Sequence, residues 1–147
     1  MVDTTTSKRL DRNASTALWR HGFSEVLKRF SQAGLKVVVV RDTPRNLKEY
    51  GSDCLGRFGE LECATPRPQA VDGEMPDLQV ARSVANIGVL DLTDRFCGRN
   101  VCPAVKDGII VYRGDNNHLT ATFSLTLAPD FQRVLKDRQP TAIGSTN

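Results

Sequence analysis

The sequence predicts one α/β domain with a mostly parallel sheet, and three observations carry that expectation. An amphipathic helical stretch from Ser15 to Ala33 passes through Gly34 into the continuous β-branched run Val37 to Val40. A second helix-like stretch, Leu78 to Ala85, leads into another apolar, strand-like run. Helix, short turn and buried strand in alternation are parts of the crossover unit that builds parallel sheets. At 147 residues, 39% hydrophobic and 25% charged, the chain is long enough for one ordinary core.

Each element has its own justification. Residues 1–14 show no apolar periodicity and no h-region of a signal peptide, and are expected to be disordered. Leu18, Trp19, Phe23, Val26, Leu27 and Phe30 follow the three-and-four spacing of a helix, with Ser15 as N-cap and Gly34 as stop. The run "LKVVVVRDTP" reads as a strand buried on both faces and ended by Asp42, Thr43 and Pro44. No strand precedes the first helix, so the chain is expected to begin in the middle of the repeating pattern.

Residues 45–77 lack periodicity, contain several Gly and Pro, and read as a long irregular loop. The helix at Leu78 to Ala85 ends before Gly88, and "VLDLTDRF" reads as the next strand. "CGRNVCPAVKDG" suggests a tight loop before a short strand, "IIVY". The closing segment "TATFSLTLAPDFQRVLKD" is helical in spacing, broken or restarted at Pro129. The domain is therefore expected over residues 15–137, with 138–147 a frayed tail.

Composition narrows the function. Twenty Lys and Arg against 17 Asp and Glu give a formal charge of +3, but the cations form no stripe beside exposed aromatics, which argues against nucleic acid as a partner. No apolar run is long enough to span a membrane. Four cysteines, Cys54, Cys63, Cys97 and Cys102, allow three pairings, of which Cys54 with Cys63 and Cys97 with Cys102 close the shortest loops. Disulfides are expected if the chain meets an oxidising compartment, with reduced thiols or zinc as the alternatives. Zinc is the weakest of these, because the Cys54 to Cys63 gap is not a ligand spacing and only two histidines exist.

The segment "YRGDNNHLT" places Asp115 three residues before His118. A serine hydroxyl is a poor nucleophile until an imidazole removes its proton, and a carboxylate on the other ring nitrogen fixes the tautomer of that imidazole. Such spacing also occurs where the aspartate merely caps a turn. No serine in the chain, Ser7, Ser15, Ser24, Ser31, Ser52, Ser83, Ser124 or Ser145, follows Gly-Asp. Among the other polar residues, His21 reads as an exposed helix position and Trp19 as a helix anchor. Asp42, at the strand edge where open α/β sheets bind ligands, reads first as a turn former. Arg41 and Arg45 read as solvated loop charges, with contact to an anionic substrate as the alternative, and Asp94 and Arg95 as capping or pairing residues near the second cysteine pair.

In order along the chain, "VVVVRDTP", Cys54, Cys63, "FCGRNVCP" and "VYRGDNNHLT" resemble the C-terminal part of the SGNH hydrolase domain of membrane-bound, OafA/YrhL-type acyltransferases, from about Trp19 to Leu135. The resemblance implies a flavodoxin-like three-layer sandwich with its N-terminal part missing. It implies His118 as the catalytic base, Asp115 as its orienting acid, and a Gly-Asp-Ser nucleophile block that has no match here. It also implies a membrane acyltransferase domain as partner, a cell-surface glycan as acceptor in O-acetylation, and no cofactor. On this reading the chain alone is inactive as acyltransferase or esterase. The complete protein would place it on the extracytoplasmic face, whereas a free-standing chain would be cytoplasmic. The alternatives are a non-catalytic accessory module or a decayed gene fragment.

Overall fold

Asp11 opens the first helix by accepting the Ala14 N–H on its carboxylate at 2.8 Å, so α1 (Arg12–Gln32) starts a turn earlier than a Ser15 cap would place it. The structure is a computed structural model and describes residues 9–47, 51–71, 73, 75–114 and 118–137. At its C-terminal end α1 closes with Leu35 N–H on Phe30 C=O and Gly34 N–H on Ser31 C=O, both 3.0 Å, with Gly34 at φ +71°. That pair of bonds needs a left-handed residue, which glycine supplies without steric cost.

The chain divides into two units. The first holds Met1–Val39 and Glu74–Val89. In it, α1 packs on α4 (Pro76–Ser83), and β1 (Val37–Val40) pairs with β3 (Ile87–Leu90) in a two-stranded sheet. Its core is Leu27, Val80 and Ala81, with Phe23, Val37, Val39, Ile87 and Val89 packed around them. Trp19 stacks on Phe23 at 4.8 Å between ring centroids and so joins the helix to that core through its neighbour. Ser31 Oγ donates to Ala85 C=O at 2.8 Å, tying the end of α1 to the turn before β3.

Two expectations change in this unit. The four valines of β1 are not fully buried: the first three are half-buried, with Val37 and Val39 packed on the Leu27, Val80 and Ala81 core, and Val40 is 39% exposed. The second helix runs Pro76–Ser83, since Pro76 suits a first helical turn and Val84 is already extended, and Gly88 lies inside β3 rather than at a helix end.

The second unit holds Val40–Gly73 and Leu90–Asn147. The stretch expected to be irregular contains α2 (Gly51–Phe58), β2 (Thr65–Pro66) and α3 (Arg67–Ala70). Their shortness, and a disulfide joining Cys54 to Cys63, explain why no periodicity is visible there. Likewise "LTDRF" is not strand: after β3 the chain forms the single helical turn α5 (Thr93–Phe96). Next come β4 (Val101–Cys102), antiparallel to β2, and β5 (Val105–Lys106), antiparallel to β6 (Ile109–Ile110). The closing helix is split into α6 (Ala121–Thr126) and α7 (Ala128–Asp137), with Pro129 in the first turn of α7 as its fixed φ favours.

The architecture is thus α/β, seven helices with three two-stranded sheets among the described residues. A larger, mostly parallel sheet is not shown by them. No described helix is long and apolar enough to cross a membrane.

Candidate functional site

The segment that carries His118 is built from a hairpin upward. Val105 pairs with Ile110 and Lys106 with Ile109, leaving Asp107 and Gly108 as a two-residue loop at φ +52° and +75°. Asp-Gly with both residues left-handed is the turn whose twist matches paired strands. The ladder then continues past β6. Val111 N–H donates to Ala104 C=O and Thr120 N–H to Val111 C=O, each at 2.9 Å. Tyr112 stands opposite Leu119 in an antiparallel bridge, and Arg113 N–H donates to His118 C=O at 2.8 Å. His118 therefore lies on the return arm of a second hairpin, two residues before the Thr120 cap of the following helix.

Both arms of that hairpin are anchored. Val111 is fully buried and Tyr112 is 2% exposed, with its hydroxyl donating to Pro44 C=O at 2.6 Å. Burial raises the Tyr112 phenol well above its ordinary pKa, so it stays a hydrogen-bond donor across the physiological range. On the other side, Thr120 caps α6 by accepting Phe123 N–H at 3.2 Å and also donates its hydroxyl to Ile110 C=O. Phe123 is buried against Phe96, centroids 5.2 Å apart. Between these anchors His118 is exposed. Asp115 lies outside the described residues.

At the end of β1, Asp42 accepts Thr43 N–H at 2.8 Å, the turn-forming role. Arg41 is not a loose loop charge: its Nη1 donates to Asp91 Oδ2 at 3.1 Å and its Nη2 to Gly73 C=O at 3.5 Å. Asp91 also accepts Thr93 N–H at 2.9 Å and the Thr93 hydroxyl at 2.6 Å. Partial burial would raise the Asp91 pKa, but the Thr93 bonds and Arg41 outweigh it and hold the carboxyl below its ordinary value. Asp94 accepts Arg67 Nη2 at 2.7 Å, and Arg95 Nε lies 3.1 Å from Asp130. His21 is exposed on α1, in the first unit.

All four cysteines are paired, Cys54 with Cys63 and Cys97 with Cys102, which leaves no thiolate for a metal. Several serines already donate their hydroxyls to backbone carbonyls: Ser31 to Ala85, Ser83 to Val80 and Ser124 to Thr120. The Ser83 and Ser124 bonds are back-bonding within a helix, and the Ser31 bond is a tie to a distant turn. A depression of about 520 Å³ bounded by Leu47, Leu61, Thr65 and Gln69, and one of about 360 Å³ between Arg67 and Arg99, do not include His118 in their walls.

Tyr112, Thr120 and the Arg41–Asp91–Thr93 cluster escaped the sequence reading. Asp-Gly at 107 and 108 and the threonine three residues before Phe123 were the available signals. Nothing local marks Pro44 as the partner of Tyr112.

Compared with known families, residues 2–133 match the model described as the SGNH domain fused to AT3 domains. The match begins upstream of Trp19. No curated protein and no solved structure matches the chain.

Proposed function

From the fact that this chain belongs to the family of SGNH domains fused to AT3, or acyltransferase-3, domains, we propose that it supplies the acid–base half of an acyl-transfer site. In this reading the complete domain is a flavodoxin-like sandwich of the OafA/YrhL type, and this chain is its C-terminal part. His118 is the general base and Asp115 the carboxylate that orients it. His118 takes the proton of a serine supplied outside this chain, and that oxygen attacks an acyl ester. The imidazolium returns the proton to the departing alkoxide. Attack on the acyl-enzyme by a glycan hydroxyl then gives O-acetylation, and attack by water gives hydrolysis.

The observation that carries this reading is an exposed imidazole on a hairpin arm anchored on both sides, with the Arg113–His118 bond at 2.8 Å. A base must be held in place yet remain reachable by its nucleophile. That no serine here follows Gly-Asp supports inactivity of the chain by itself. The two buried disulfides support an oxidising, extracytoplasmic setting beside a membrane acyltransferase domain.

Two measurements test it. Purified chain assayed with p-nitrophenyl acetate is expected to show no turnover above background, and turnover abolished by His118→Ala would refute the inactivity. In the complete acyltransferase, His118→Ala is expected to lower acyl transfer by about a thousandfold or more. Transfer that survives at the unaltered rate would refute the role of His118.

A further inference from the structure

We propose that Tyr112 is a positioning residue for His118, pinning the outgoing arm of its hairpin, against which the return arm with His118 is registered, to the loop after β1. The inference rests on the proposed role of His118. Along an extended arm side chains alternate between faces, so Tyr112 and its bridged partner Leu119 share one face while Arg113 and His118 share the other. The first face points inward, with Tyr112 2% exposed, and the second points to solvent, with Arg113 and His118 both exposed. A slip of one residue would exchange the two faces and turn the imidazole inward.

Two contacts resist that slip from opposite sides. Arg113 N–H holds His118 C=O at 2.8 Å across the two arms. Beneath it, the Tyr112 hydroxyl holds Pro44 C=O at 2.6 Å, a link between residues 68 positions apart. A buried phenol that loses its acceptor, or a buried carbonyl that loses its donor, is left without compensation for desolvation, so a shift of the outgoing arm, and of the return arm bonded to it, is penalised at that point. A phenyl ring in place of Tyr112 would fill the same space and keep the apolar burial, but would leave Pro44 C=O unanswered. The hydroxyl therefore acts on register and the ring on packing.

Tyr112→Phe separates the two, and the chain suits the measurement because it has only two histidines, His21 and His118. Ring resonances of both would be followed by NMR through a pH titration in the original and variant chains, together with hydrogen exchange at the Arg113 amide. The expected result is an altered tautomer balance or titration midpoint for His118, unchanged His21, and Arg113 protection reduced about tenfold, as loss of one buried hydrogen bond predicts. A variant that only melts earlier, with His118 ring signals and Arg113 exchange as in the original, overturns the proposal. Should the variant not fold, exchange in the unaltered chain decides. Arg113 must then be protected to the same degree as Thr120, and rapid exchange at Arg113 beside a slow Thr120 overturns it. None of these readouts uses acyl transfer, so they stand or fall separately from the base role tested by His118→Ala.

Discussion

Arg41 and Asp91 meet where β1 and β3 end: Arg41 Nη1 lies 3.1 Å from Asp91 Oδ2, while Arg41 N–H donates to Leu90 C=O at 2.9 Å. Backbone and side chain of one residue thus join the strand end and the turn that follows its neighbour. Because Asp91 Oδ1 is taken by Thr93, the carboxylate serves the α5 turn and the arginine together.

That arrangement predicts an acid limb in stability. Folding lowers the Asp91 pKa from its ordinary 3.8, so on acidification the unfolded chain takes up the proton first. The contribution is complete above that value and is lost as the pH falls through the folded one. Asp91→Asn is expected to cost on the order of 1 kcal/mol at neutral pH, kept small by the solvent that reaches the carboxylate. It should also lose less stability than the original between pH 5 and 3, as read by thermal unfolding across a pH series.

Leu27 is 2% exposed at the centre of the first unit's core, against Val80 and Ala81. Leu27→Ala is expected to cost about 2–5 kcal/mol, from lost burial plus the cavity left behind. Denaturant melts would show it, and an effect below about 1 kcal/mol would argue against this packing.

Alkylation of the denatured but unreduced chain is expected to label no cysteine, and reduction should expose four thiols. Loop entropy assigns about 2–3 kcal/mol to each bridge. The Cys54–Cys63 bridge, with a separation of 9 against 5 for Cys97–Cys102, is expected to be the costlier to remove. Paired Cys→Ala variants compared by thermal melting give the order.

Thr120 both caps α6 and bonds Ile110 C=O, so Thr120→Ala removes two links beside His118. The expected loss is about 1–2 kcal/mol, or roughly 2–8 °C in melting temperature for a chain of this size. Thr120→Ser, which keeps the hydroxyl, should restore most of it.

Much of the fold was legible because it is written locally. The helix at α1, the run Val37–Val40, the stop at Gly34 and the break at Pro129 each depend on residues within a turn or two of one another. The misreadings share a cause as well. "LTDRF" has the composition of a strand, yet Asp91 accepts both the amide and the hydroxyl of Thr93 and turns the chain there. Residues 45–77 hide a helix and a strand because elements this short carry no measurable period, and a disulfide joins α2 to the turn that follows it. Asp115 and His118 were visible as a pair three residues apart, whereas the hairpin that presents His118 was not.

By itself, the sequence determined the alternation of helix and strand, the cysteines able to close short loops, and the presence of an aspartate and a histidine three residues apart without a serine that follows Gly-Asp. Those features are set by side-chain periodicity and by the identity of neighbouring residues. Only the tertiary structure decided which way His118 faces, that Arg41 is held by Asp91, and that Tyr112 reaches Pro44. The last two join residues far apart in the chain. Whether two such groups meet is decided by the burial of everything between them, which no local pattern encodes.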